Sequence, residues 1–201
     1  MHPEVVEDHP GACPKCGMAL EPRTTVLQQE NPELDDMNRR FKVSVAFALP
    51  LFVIAMSEML PGIDLTQLVS AKVLLWLQLA LATPVVMWAG WPFYERAVQS
   101  VKTWHLNMFT LIGLGVSVAW LYSLLAVFAP GLFPTTMLNA HGLIPVYFEA
   151  AAVIITLVLL GQVLELKARG QTNQAIQLLL GLSPSTARRV NAQGEEQDVP
   201  L

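Results

Sequence analysis

Residues 144–166 read I-P-V-Y-F-E-A-A-A-V-I-I-T-L-V-L-L-G-Q-V-L-E-L. A hydrocarbon core about 30 Å thick takes about 20 helical residues to cross. This run supplies them, with carboxylates only toward its two ends, at Glu149 and Glu165. Working outward, three more stretches have the same character: Leu106–Phe128, Val73–Tyr94 and Phe41–Leu60. A buried core helix can be equally apolar, but four in succession would need a much larger soluble protein to hide them. The chain therefore reads as a mainly α, polytopic membrane protein with four transmembrane helices. Phe41–Leu60 is not a cleaved signal peptide, because a polar, acidic segment precedes it and no small-residue cleavage site follows.

Composition points the same way. Hydrophobic residues make up 53% of the chain and charged residues 14%, and the mean hydropathy is +0.46. A soluble domain usually carries about a quarter charged residues. Most of the charges lie before Lys42, within Glu95–Lys102, or from Glu165 onward. A net charge of −4 without a long basic run excludes a nucleic-acid partner. Arg39, Arg40 and Lys42 precede the first span, Arg96 and Lys102 lie between the second and third, and Lys167 and Arg169 follow the fourth. The other two loops hold little charge, so the positive-inside rule places both chain ends in the cytoplasm of a cell (inner or plasma) membrane protein. Trp91, Phe93, Tyr94 and Trp104 gather at the inner ends of spans two and three, as an interfacial aromatic belt does.

Outside the spans the chain divides into residues 1–22, a linker over 23–40, and residues 167–201 after the membrane region 41–166. Cys13-Pro14-Lys15-Cys16-Gly17 forms a knuckle, two thiols on a tight turn. The pair is too closely spaced to staple a fold and reads as a metal or a redox site. Thiolates suit zinc or Cu(I), and His2 and His9 are nearby candidates to complete such a site. At the other end, alternation around Thr186, Arg188 and Val190 followed by Ala192-Gln193-Gly194-Glu195 reads as a strand and a hairpin turn. One hairpin does not stand alone in water, so a soluble domain is expected to begin here and to continue beyond Leu201.

Several polar groups inside the spans invite a functional reading. Glu149 lies roughly 7–8 Å inside span four, where an ionisable group is costly unless it faces a cavity or a partner. Glu165 is sixteen residues further on, about 24 Å along the same helix and turned by about 160°. Met108 opens span three at the level of Glu165, and a thioether is a ligand for soft ions such as Cu(I), although methionine is also ordinary core filler. An entry at Met108 and Glu165 and an exit at Glu149 would suit a soft cation. Gly90 and Pro92 are expected to kink span two at its inner end. The segment after them, Phe93–Trp104, has the aromatic and basic pattern of an amphipathic platform on the membrane.

Together, G-W-P-F-Y-E-R-A from Gly90, L-N-M-F-T-L-I from Leu106, V-Y-F-E-A-A-A from Val146 through L-E-L-K-A-R to Arg169, and P-S-T-A-R-R-V from Pro184 resemble the heavy-metal-transporting P-type ATPases, in their copper and silver branch. Residues 1–22 resemble the short metal-binding segment of some of these pumps. The resemblance implies an ATP-driven exporter of Cu(I) or Ag(I), with Met108 and Glu165 as entry ligands and Glu149 on the release side. It implies that Gly90 and Pro92 shape the kink, and that the segment bearing Arg96 and Lys102 is the docking platform for a copper chaperone. It also implies that residues 167–201 open an actuator domain. Ala89 departs from the family's pattern, which has a first glycine there. The start departs too: the family's segment usually reads Y-x-C-P-M-H-P, so the chain is expected to begin inside it. The phosphorylated aspartate, the Cys-Pro-Cys membrane site and the Mg-ATP site are expected beyond Leu201, so this stretch alone should not hydrolyse ATP. The alternative is a stand-alone membrane metal-binding or scaffold protein without ATPase activity, surrounded by lipid.

Overall fold

The structure, a computed structural model, describes residues 5–7, 13–15, 20, 32–57, 69–139, 142–181, 186–190 and 196–200. Among these residues five α-helices follow one another: α1 Pro32–Ser57, α2 Ala71–Thr83, α3 Trp91–Lys102, α4 Met108–Phe128 and α5 Phe148–Gly181. A π-helical segment, Pro84–Ala89, joins α2 to α3. Among the described residues, four helical stretches are long and apolar enough to cross a membrane: Pro32–Ser57, Ala71–Ala89, Met108–Phe128 and Phe148–Thr172. The reading as a multi-pass, mainly helical membrane protein therefore stands.

Each boundary that differs from the sequence reading has a local cause. The first helix begins at Pro32, so the second half of the expected linker 23–40 is helical. Proline fits the first helical position because its missing N–H is one the helix leaves unused. Glu33 and Asp35 then favour the positive end of the helix dipole, and Asp36 accepts a hydrogen bond from Arg40 Nε at 2.7 Å, one turn on. Span two does not run to Tyr94, because the helix breaks at Gly90 and restarts as α3. Residues 143–147 have no regular secondary structure and α5 starts only at Phe148, four residues later than Ile144. Residues 58–60 lie outside the described residues.

The core is the seam along α5. Phe148, Ala151, Ala152, Ile155, Leu159, Val163 and Leu166 are buried at spacings of three and four, one stripe of a 3.6-residue helix. Leu51 of α1, Val85, Val86 and Ala89 of the π-segment, Phe93 of α3 and Val116 of α4 close onto it. Lipid tails are as apolar as leucine, so association in a membrane rests on close packing and interhelical hydrogen bonds. Both are present. Ser44 of α1 bonds Thr156 of α5, and Ser123 Oγ of α4 accepts from the Tyr147 N–H at 2.8 Å while donating to the Ala119 carbonyl at 2.8 Å. Gly113 lets α3 approach α4: a Cβ there would lie 2.8 Å from the Ala97 Cβ. Large apolar side chains such as Leu111, Leu114, Leu121 and Leu157 face outward, as lipid-facing positions do.

Beyond α5, β1 Thr186–Val190 and β2 Glu196–Pro200 pair antiparallel, with Thr186 opposite Pro200 and Val190 opposite Glu196. The turn expected over 192–195 lies outside the described residues.

Candidate metal path

The break at Gly90 is built by three residues. Pro84 has no N–H and its ring crowds the preceding turn, so the helix cannot keep its ordinary ladder there. The backbone widens to a π-segment, closing with the Gly90 N–H donating to the Val85 carbonyl at 2.9 Å. Gly90 also needs to be glycine on steric grounds, because a Cβ would meet the Val86 carbonyl oxygen at 2.7 Å and Ile155 Cδ1 at 3.0 Å. The Gly90 carbonyl then starts α3 by accepting from Phe93 at 3.0 Å, and Pro92 sits in the first turn of α3, where its missing N–H costs nothing. Across the bundle, Arg40 donates to the Trp88 carbonyl at 2.5 Å, and its guanidinium lies 5.0 Å from the Trp88 ring centroid. In the sequence Arg40 is one of the basic residues that orient the chain. Its place at the kink has no signal in a single sequence.

α3 is amphipathic. Phe93, Ala97 and Ser100 are buried, with Phe93 stacked on Phe109 at 6.0 Å between centroids, while Trp91, Val98, Val101 and Lys102 are exposed. A shallow open cleft of about 310 Å³ runs along Trp91, Tyr94, Glu95, Val98, Gln99 and Lys102. Of the two basic residues expected on the platform, Lys102 faces outward and Arg96 does not. Arg96 turns into the bundle, its side chain only 11% exposed, and donates to Glu33 Oε1 at 2.6 Å and to Gln162 Oε1 at 2.9 Å.

The far end of α3 closes in a Schellman turn. The His105 N–H reaches the Ser100 carbonyl at 3.0 Å and the Trp104 N–H reaches the Val101 carbonyl at 3.2 Å. The residue between helix and loop in such a turn adopts left-handed backbone and is usually glycine. Here it is Trp104, at φ 55° and 84% exposed. A non-glycine residue in that region costs about 1–2 kcal/mol. Trp104→Gly should therefore raise the midpoint of thermal unfolding in detergent. A lowered midpoint would mean that the indole supplies more packing than its backbone strain costs.

Met108 is the first residue of α4 and 56% exposed. Asn107 places it by a capping box: its Oδ1 accepts from Phe109 N at 3.0 Å, and Thr110 Oγ1 accepts from Asn107 N at 3.2 Å. Glu165 lies on α5, its side chain 44% exposed, receiving Gln162 Nε2 at 3.0 Å and Arg169 at 2.6 Å. The structure brings these two residues to the same end of the bundle. Arg96 links them, because its guanidinium lies 5.1 Å from the ring of Phe109, next to Met108, and bonds the Gln162 that holds Glu165. Glu33 and Gln162 were not singled out from the sequence, though an amide inside an otherwise apolar span is a readable signal.

Glu149 is at the opposite end, in the first turn of α5, where the helix dipole favours a carboxylate. Its Oε2 is buried and, among the described residues, has no hydrogen-bond partner, as is also true of Trp120 Nε1. Among the described residues no three His, Cys, Asp or Glu side chains converge. Of the N-terminal knuckle, Cys13 is buried. The Pro14 and Lys15 carbonyls accept from Gln99 Nε2 and Thr103 Oγ1, each at 2.6 Å, which sets that turn against α3. His2, His9 and Cys16 lie outside the described residues.

The profile of the heavy metal binding domain family matches residues 1–23. The whole chain is 52% identical to a copper-exporting P-type ATPase of Legionella pneumophila over 202 residues, 100% of this chain and 27% of that protein. It is 54% identical over 203 residues to a copper-transporting P-type ATPase of Rhizobium leguminosarum, 100% of this chain and 24% of that protein. It is 50% identical over 201 residues to a silver exporting P-type ATPase of Salmonella typhimurium, 99% of this chain and 24% of that protein. The chain thus spans about a quarter of the length of these curated relatives. The resemblance to the copper and silver branch of the heavy-metal P-type ATPases, read above from separate motifs, is borne out along the full chain.

Proposed function

We propose that this chain is the N-terminal part of an ATP-driven pump that exports Cu(I), or Ag(I), from the cytoplasm. The observation that supports the reading is that Arg96 of the amphipathic α3 contacts both the Phe109 ring beside Met108 and the Gln162 amide that holds Glu165, at one end of the bundle. A thioether and a carboxylate make a site fit to receive a soft monovalent ion without trapping it. On this reading both chain ends are cytoplasmic, consistent with Arg39, Arg40, Lys102 and Lys167 lying at one end of the bundle. Metal enters at Met108 and Glu165 and leaves past Glu149. The exposed face of α3, with Lys102, receives a copper chaperone or other donor. The thiols of Cys13 and Cys16, with His2 and His9 as further donors, capture Cu(I) or Zn(II) ahead of the membrane. The hairpin β1–β2 begins the cytoplasmic actuator domain, and the nucleotide and Mg²⁺ act on parts outside this stretch.

Full-length protein reconstituted in inside-out vesicles should accumulate Cu(I) only with Mg-ATP present. Equal accumulation with and without nucleotide, or none with it, would overturn the pump reading.

A further inference from the structure

Gln162 is a buried amide to which neither the entry site nor the platform assigns a role. It is 9% exposed and lies on the α5 seam between Leu159 and Leu166. Both ends of its amide are engaged: Oε1 accepts from Arg96 Nη1 at 2.9 Å and Nε2 donates to Glu165 Oε2 at 3.0 Å. The amide cannot be turned round, because a guanidinium only donates and a carboxylate only accepts. Arg96 is itself anchored, by Glu33 Oε1 at 2.6 Å and by the Phe109 ring beneath it. A chain of contacts therefore runs from Glu33 on α1 through Arg96 on α3 to Gln162 and Glu165 on α5.

We propose that Gln162, held by Arg96, is a positioning residue that presents the Glu165 carboxylate to the incoming metal ion; this rests on the reading of Glu165 as an entry ligand. The neutral amide suits the task. Arg96 bonded directly to Glu165 would put a fixed positive charge against the site of a cation. Instead its charge is balanced by Glu33, and from the Arg96 side only the dipole of the amide reaches the carboxylate, the guanidinium that does bond it being the part-exposed Arg169. The other contact to Glu165, from Arg169 one turn on, has 31% and 44% exposed side chains and is screened by solvent. The shielded Gln162 contact is thus the one that selects the rotamer. It occupies one lone pair of Oε2 and leaves acceptor capacity for a metal.

The test uses the full-length pump and Cu(I)-dependent ATP hydrolysis across buffered free Cu(I). Gln162→Leu should raise the half-saturating Cu(I) about tenfold, the low end of what outer-shell partners of metal ligands are worth. The saturating rate should stay within about twofold, since that metal-loaded state no longer depends on presentation. Gln162→Glu keeps an acceptor for Arg96 and loses the donor to Glu165, so it should raise half-saturation similarly and decides the matter if the leucine variant does not fold. In a Glu165→Ala background, Gln162→Leu should add no further shift. A merely structural glutamine would lower the saturating rate or the melting temperature without moving half-saturation, which overturns the proposal. So does an additive shift in the Glu165→Ala background. If Glu165→Ala itself moves nothing, the entry-ligand reading falls first and this inference with it. If Glu165→Ala shifts half-saturation and both Gln162 variants do not, only the positioning role is wrong.

Discussion

Met108→Ala and Glu165→Ala, each in the full-length pump, should raise the Cu(I) needed for phosphorylation at least about tenfold, because a lost ligand should cost no less than a lost outer-shell partner, worth about 10–100-fold in affinity. Glu149→Ala should behave differently. Phosphorylation should keep its metal dependence, while release and dephosphorylation slow and phosphoenzyme accumulates. The reason is positional and chemical. Met108 and Glu165 sit at the α3 end of the bundle, and Glu149 is about 24 Å along α5 from Glu165. A carboxylate is a weak ligand for a soft ion, suited to accepting it briefly and passing it to water. The buried, unpartnered Oε2 of Glu149 leaves one such acceptor free at that end. Glu149→Gln separates charge from size. Rapid-quench measurement of phosphoenzyme formation and decay checks all four variants, and unchanged formation and decay in every one would end the entry-and-exit reading.

Gly90→Val should damage the protein more broadly. The new Cβ alone would lie 2.7 Å from the Val86 carbonyl oxygen and 3.0 Å from Ile155 Cδ1. The carbonyl belongs to the π-segment and cannot yield without unwinding it, and Ile155 is wholly buried. Overpacking a filled interior costs typically about 1–3 kcal/mol, and a β-branched residue at a backbone contact should reach the upper part of that range. The expected result is a lowered unfolding midpoint in detergent together with loss of metal-dependent turnover, since α3 is aimed by this break. Ala89→Gly, by contrast, should leave turnover close to the parent's while costing about 1 kcal/mol of stability: Ala89 is fully buried and already fits, so the kink does not need a second glycine at that position. A Gly90→Val protein that melts and turns over like the parent would show that the helix bends without help from this position.

Much of the molecule was legible because membrane insertion is a one-dimensional constraint. Run length, charge and the position of basic residues identify spans without any knowledge of packing. Met108, Glu149 and Glu165 stand out because polar or soft groups are rare in such runs. Pro32 and the acidic turn behind it were also readable as a helix start, but the charge of 32–40 drew the reading toward a linker. The π-segment is less accessible: Pro84 lies in an apolar run whose pattern continues through it, and the stronger helix-breaking signal is the Gly90 and Pro92 pair.

Arg96 marks the limit. A basic residue six positions after a kink, flanked by aromatics, has the pattern of a surface platform. Only the approach of α1 and α5 supplies the Glu33 carboxylate and the Gln162 amide that turn it inward. The same holds for Arg40, whose acceptor is a backbone carbonyl forty-eight residues away. By itself the sequence determined the helices, their order and the residue types offered to a metal, because those depend on local hydrophobicity and chemistry. Which polar groups meet was decided by the tertiary structure, because a buried donor is committed to whichever acceptor the packed helices bring within reach.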